Sequence, residues 1–251
     1  MDKENPVTDI QKIFGGIAVK FFPVSVDNFF KEPDDIADFA NSLPMESSPI
    51  YNFPGKRTKP LSEIDPPFND AIINKILTIY RLPEDIFCKR GNLYFQKIQS
   101  FSDHKDDVIN KGWIHKDTVY HPDDDNLVGL IYLNQHIDPD AGTSLFDVVP
   151  DIDQHLYQSK NIEVGKYKKQ SYTNSVSNEE LEEVYESHMK FYVEKLRIQN
   201  KYNRMIAYDP NEFHRANSFY TGTEEDRLTL VFFLQLDNVA KWPIDLIREK
   251  G

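Results

Sequence analysis

The spacing of apolar residues changes twice along this chain, and the changes divide it into three parts. Residues 17–26 (IAVKFFPVSV) read as a strand that Pro23, which cannot donate to a ladder, interrupts or ends. The period then lengthens to that of helices. Pro33-Asp34-Asp35 opens one, with acids favoured in its first turn and Ile36, Phe39, Ala40 and Leu43 on one face. A second starts with Asp65 as N-cap and Pro66 at its first position. It turns Ile72, Ile73, Ile76, Leu77 and Tyr80 inward and stops before Pro83. Between the two, Pro44, Pro49, Pro54-Gly55 and Pro60 predict an irregular loop over 44–63.

From Leu93 the pattern becomes that of strands. Segments 93–101, 112–120, 127–135 and 143–149 are rich in aromatic and β-branched residues, and turn clusters at 122–126 and 138–142 separate them. Closely spaced strands of this kind predict a sandwich or small barrel. Residues 150–200 break the series. There Ser177-Asn178-Glu179-Glu180 reads as a capping box leading a helix with Leu181, Val184, Tyr185, His188, Tyr192 and Leu196 on one face. Strands resume at 204–208, 213–220 and 227–236. In the last, Arg227, Thr229, Val231 and Phe233 share one face and Leu228, Leu230, Phe232 and Leu234 the other, so both faces are largely apolar and the strand should be buried. With no repeat and no Gly/Ser linker, the expectation is one α+β domain over 1–251. It comprises an N-terminal strand and support helices (1–91), a β core (92–149 and 203–237) and a helical insert (150–202).

Composition narrows the function classes. With 39% hydrophobic residues, 17 Phe and 13 Tyr, the chain can build a core. Its net charge of −12, without a dense Lys/Arg cluster, disfavours nucleic acid, whose phosphates require a basic surface. The single cysteine, Cys88, cannot form an internal disulfide, and residues 1–12 are too polar and acidic for a signal peptide. No apolar run approaches a membrane span. A cytoplasmic protein is expected.

The chemistry centres on histidine. A His and an Asp two apart on an extended segment point to one side, and a second His brought in by the fold completes a two-His, one-carboxylate face. Such a face leaves metal positions open and is the arrangement of non-haem Fe(II) oxygenases. Four His-x-Asp pairs occur: His104/Asp106, His115/Asp117, His121/Asp123 and His136/Asp138. The first lies in a polar, turn-like run, the third opens an acidic turn across Pro122, and the fourth leaves a strand for a loop. His115/Asp117 alone sits in an extended segment, Trp113 to Tyr120. For the distal histidine, His188 lies mid-helix and His155 begins the insert, whereas His214 lies between strands and thirteen residues before Arg227. A buried arginine requires an anion. Its partner is either an Asp or Glu of the fold or a carboxylate ligand held by the bidentate fork.

Together these residues resemble the Fe(II)/2-oxoglutarate-dependent dioxygenases, within them the prolyl-4-hydroxylase-like branch. The matching run is His115-Lys116-Asp117, Ile131-Tyr132-Leu133-Asn134, Ala141-Gly142-Thr143, Phe213-His214 and Arg227-Leu228-Thr229, over residues 92–236. The Tyr51-Asn52-Phe53-Pro54-Gly55-Lys56-Arg57 loop is similar to an uncharacterised bacterial and phage branch. The resemblance implies a double-stranded β-helix (jelly roll), with Fe(II) on His115, Asp117 and His214 and O2 and 2-oxoglutarate as cosubstrates. Arg227 would pair with the distal carboxylate of 2-oxoglutarate, with Tyr132, Thr229 and an inward-facing Asn134 as further cosubstrate contacts. It implies oxidation of a C–H bond in an amino acid, peptide, protein or small metabolite, with succinate and CO2 released. Asp117 favours hydroxylation over halogenation. Phe233 stands where the nucleic-acid demethylases carry a second arginine. Departures are Ala141-Gly142-Thr143 for a Gly-Gly turn, and the length of the insert, which would border the mouth and select substrate or brace the barrel from outside. The rival classes are a non-catalytic jelly-roll binding or structural protein and a cupin-type metalloenzyme that uses no 2-oxoglutarate.

Overall fold

The computed structural model describes residues 20–48, 53–82, 86–117, 125–150, 154–171, 177–223, 225–237 and 243. Residues 17–19 of the expected first strand, and the His121-Pro122-Asp123 turn, lie outside them.

Strand β1 (Val24–Val26) begins just after Pro23, so the proline precedes the strand and does not end it. Helix α1 (Pro33–Ser42) carries Pro33 in its first turn with Asp34 and Asp35, as its sequence predicts. The stretch expected to be an irregular loop contains two short strands, β2 (Glu46–Ser47) and β3 (Lys56–Arg57), which pair antiparallel with each other. Gly55 makes this turn possible. Its φ is +71°, and a Cβ there would stand 2.0 Å from the Lys97 carbonyl oxygen. A single turn, α2 (Leu61–Ile64), leads into α3 (Pro66–Ile79), capped by Asp65, whose carboxylate accepts from the Phe68 amide at 3.0 Å.

The main sheet is antiparallel throughout and has seven strands in the order β1-β8-β5-β10-β4-β3-β2. At its centre β10 (Arg227–Asp237) pairs with β4 (Phe87–Ile98) and β5 (Asp125–Tyr132). The double apolar pattern explains this position. Leu228, Leu230, Phe232 and Leu234 pack with Ile72, Ile73 and Ile76 of α3 in the largest core cluster. The opposite face, with Arg227, Val231 and Phe233, borders a cavity.

A second sheet, β7-β6-β9, comprises β6 (Thr143–Val148), β7 (Tyr192–Ile198) and β9 (Phe213–Ala216). Val128, Tyr132, Leu145, Ile198, Ile206 and Tyr208 join it to the main sheet, where β8 (Met205–Tyr208) supplies two of them.

The region expected to be a helical insert is helical only to Met189. It holds α4 (Gln154–Ser171), which the periodicity does not predict, and α5 (Asn178–Met189), whose cap Ser177 accepts from the Glu180 amide at 3.3 Å. Tyr192 and Leu196 do not extend the face of α5; they belong to β7. Residues four apart fit a helix face, but here β7 pairs with β6 along its length, and Leu196 is 40% exposed. The structure is therefore mixed α and β around a large antiparallel sheet. Among the described residues no helix is long and apolar enough to cross a membrane.

Candidate metal centre and its cavity

The segment 112–117, expected as a regular strand, is irregular. It follows β9 through a single bridge, His115 with His214, flanked by the Gly112 amide to the Ala216 carbonyl at 3.0 Å and the Asp117 amide to the Pro210 carbonyl at 3.2 Å. A Cβ on Gly112 would stand 2.4 Å from the Ala216 carbonyl oxygen, so the close approach requires glycine. At the other end of β9, Asp209 folds the turn after β8: its carboxylate accepts from the Asn211 amide at 2.9 Å, and its carbonyl from the Glu212 amide at 2.9 Å. These backbone contacts bring His115 opposite His214.

The three expected metal ligands converge. His115, Asp117 and His214 each offer a ligand atom, all within 4.8 Å of one another. His115 Nε2 lies 3.7 Å from one oxygen of Asp117, and His214 Nε2 lies 3.4 Å from the other. The other ring nitrogens fix the tautomers. His115 Nδ1 meets the Trp113 carbonyl at 2.8 Å and His214 Nδ1 the Glu212 carbonyl at 2.9 Å. A carbonyl only accepts, so each Nδ1 carries the proton and each Nε2 turns a lone pair toward Asp117. Two lone pairs and a carboxylate facing one another are a donor set for a cation. Although 35% of the His115 side chain is solvent-exposed, desolvation pushes its pKa well below the ordinary histidine value, helped by the nearby Lys168 and His214. A neutral imidazole is the ligating form. The donor set of two imidazole nitrogens and one carboxylate oxygen fits a divalent first-row metal and occupies one face of it.

Of the other histidines, His104 and His136 are exposed and do not join this cluster. His121 and the side chain of His155 lie outside what is described. His188 is buried to 1% exposure behind the centre, its Nε2 3.3 Å from the Ile114 carbonyl and its ring against Trp113 and Tyr192. Burial pushes its pKa down to about 4.

A cavity of about 500 Å³ opens beside the three ligands. Arg227 borders it at 3% exposure, and among the described residues no carboxylate pairs with it. Its guanidinium lies 5.5 Å from the Tyr132 ring centroid, and Nε and Nη2 have no hydrogen-bond partner. Desolvation lowers its pKa. Tyr132 and Thr229 stand in the wall behind the lining. The Tyr132 hydroxyl shares a 2.8 Å hydrogen bond with Thr143 Oγ1, while the buried Thr229 Oγ1 has no partner. Asn134 is elsewhere. Strand β5 ends at Tyr132, so alternation does not carry to 134, and the Asn134 amide instead clamps the start of β10. It donates to the Asp226 carbonyl at 2.9 Å and accepts from the Leu228 amide at 2.6 Å.

The sequence reading missed Lys168, which α4 delivers to the cavity, half-buried, with desolvation holding its pKa down to about 8. No local signal marks it, because α4 has no continuous apolar stripe.

The fold is similar to that of solved structures from other sources. The structure of HygX from Streptomyces hygroscopicus with nickel and 2-oxoglutarate bound matches with a TM-score of 0.51 at 14% identity, over 90% of this chain and 86% of that one. The same protein with nickel, 2-oxoglutarate and hygromycin B bound gives 0.51 at 13%, over 90% and 86%. A Pseudomonas putida prolyl-4-hydroxylase gives 0.46 at 10%, over 85% and 91%. No curated protein matches in sequence. The chain belongs to the family of unknown function DUF6445, whose profile matches residues 23–234.

Proposed function

We propose that this protein is an Fe(II)- and 2-oxoglutarate-dependent dioxygenase with a jelly-roll core, hydroxylating a C–H bond of a small molecule, amino acid or peptide. One observation carries the reading: a His/Asp/His donor set and a buried arginine that meets no carboxylate among the described residues face the same cavity. A non-catalytic jelly roll has no use for both. A cupin-type enzyme without 2-oxoglutarate has no use for Arg227. The HygX structures, with 2-oxoglutarate bound in a similar fold, support the reading.

In this reading His115, Asp117 and His214 hold the metal, with their Nδ1 protons fixed on backbone carbonyls so that ligation needs no rearrangement. A metal held by these three residues would supply oxygen activation coupled to oxidative decarboxylation of 2-oxoglutarate, the products being succinate, CO2 and an oxidised substrate. Arg227 holds the distal carboxylate through its unused Nε and Nη2. Burial raises the Tyr132 pKa, so the phenol stays protonated. Thr143 can donate to the phenolic oxygen, which leaves the Tyr132 hydrogen for the same carboxylate. The unpartnered Thr229 hydroxyl offers another donor. Val231, Phe233 and Leu130 line the cavity and exclude water.

The test is turnover. Fe(II)-loaded protein given 2-oxoglutarate, O2 and ascorbate should release succinate, slowly without primary substrate, when ascorbate supplies the two electrons, and faster with it. His214→Ala should release none. Equal succinate from wild type and His214→Ala would reject the assignment.

A further inference from the structure

The cavity has more cations than anions on its walls. Among the described residues Arg57, Lys116, Lys168 and Arg227 border it against one carboxylate, Asp117, in a chain of net charge −12. Three of these cations have company. Arg57 lies 4.1 Å over the Phe53 ring and donates from Nη2 to Gln96 at 3.2 Å. Lys116 lies 4.4 Å over the Phe213 ring. Arg227 rests on Tyr132 and takes the cosubstrate in the reading above. Lys168 is different: among the described residues its ammonium group has no hydrogen-bond or ion-pair partner. Among the described residues, Asp117 is the carboxylate that borders the same cavity and acts on its charge, and a metal at this site would take up that charge.

Lys168 is also held in place. Its helix is fixed to the segment that carries His115, because the Trp113 indole donates to Ser171 at 3.3 Å and Val164 packs with Trp113, Leu181 and Tyr185. A flexible surface lysine would simply turn to water, whereas this one is half-buried and faces the metal ligands. A desolvated ammonium group is costly until it meets an anion. An anion approaching a protein of this charge is repelled at long range, so recognition must be local.

We propose that Lys168 anchors an anionic group, a carboxylate or a phosphate, of the primary substrate. The substrate is then a small molecule with an anionic end on Lys168 and an apolar part against Phe53, Ile98, Phe219 and Phe233, which also line the cavity. The proposal rests on the metal and 2-oxoglutarate reading, since it needs Asp117 engaged by the metal and Arg227 by the cosubstrate.

Calorimetric titration of the full-length, Ni(II)-loaded protein in saturating 2-oxoglutarate tests it, with inorganic sulfate as the phosphate mimic and benzoate as the carboxylate. Wild type should bind at least one of the two, and which one binds identifies the class. Lys168→Met should weaken that binding at least about tenfold, because charge-assisted hydrogen bonds are the strong ones. Lys168→Arg should stay within a few-fold of wild type, and Lys166→Met, an exposed lysine of the same helix that does not line the cavity, should leave the anion's affinity unchanged. Lys168→Gln repeats the loss if the Met variant does not fold. Absence of binding in wild type, unchanged binding in the Met or Gln variant of Lys168, or an equal loss in Lys166→Met overturns the proposal. Titrating 2-oxoglutarate separately keeps the two readings apart. Its failure to bind wild type sinks the cosubstrate assignment, while the Lys168 variants still report where the anion sits.

Discussion

A guanidinium at 3% exposure with two unpaired nitrogens is held at a loss until an anion arrives. Arg227→Ala should therefore weaken 2-oxoglutarate binding at least about tenfold, since each charge-assisted bond contributes about 1.5–3 kcal/mol. Arg227→Lys should recover part, because lysine supplies charge without the fork. Metal affinity should hold in both. Titration into anaerobic Fe(II) protein, followed by the charge-transfer absorption of the chelate, reads all three. A sharper sign test is Arg227→Met, which keeps the bulk and removes the buried charge. It should raise the unfolding midpoint of the ligand-free protein, whereas a structural ion-pair arginine would give a drop. His188 makes the opposite kind of buried cation, one that forms only in acid. Its folded pKa of about 4 lies below the ordinary 6.5, so the unfolded chain binds its proton first. The stability it contributes is full above about pH 6.5 and is lost as pH falls through 4. The difference amounts to about 3 kcal/mol at most. Denaturant unfolding at pH 7.5 and 5 should show a steeper loss for wild type than for His188→Gln. Parallel losses would mean that His188 titrates normally.

At the scale of elements, the strand-like segment carrying His115 is held to β9 by backbone contact and depends on one glycine. Gly112→Ala places a methyl 2.4 Å from the Ala216 carbonyl oxygen, which must push 112–117 away from β9. The variant should lose Ni(II) or Zn(II) affinity by more than tenfold while remaining folded, because the main core lies on the far side of the large sheet. Unchanged metal affinity would show that the bridge does not set the ligand geometry. This dependence also explains what the sequence could reveal. His115-x-Asp117 was legible because one bridge suffices to aim both side chains, although regular strand geometry was not there. The two faces of β10 were legible because eleven paired residues average out local exceptions. Asn134 was misplaced because alternation stops where pairing stops. β7 was hidden because Tyr192 and Leu196 continue a four-residue spacing by coincidence, and only the β6 pairing, a non-local fact, overrides it. Lys168 was invisible for the same reason: its place at the cavity comes from where the second sheet and α5 seat α4, and nothing in its neighbours in sequence records that.

Across the whole molecule, the proposed metal would join parts of the chain that are otherwise connected through few bonds. His115 and Asp117 stand on an irregular segment, while His214 stands on an edge strand of the three-stranded sheet, tied to that segment by one bridge and its flanking hydrogen bonds. The unfolded chain offers no comparable set of donors, so binding should appear as folding stability. At a free metal concentration of 100 times Kd the gain is about 2.7 kcal/mol. In a chain of this size that raises the midpoint by about 5–10 °C. Thermal unfolding with and without Zn(II) should show this rise in wild type, a chelator should reverse it, and His214→Ala should abolish it. Adding 2-oxoglutarate to the metal-loaded protein should raise the midpoint further, and that second step alone should vanish in Arg227→Ala. The two increments thus separate the parts of the site. Loss of both steps in Arg227→Ala would place the arginine among the groups that build the metal centre, and retention of both would remove it from the cosubstrate site.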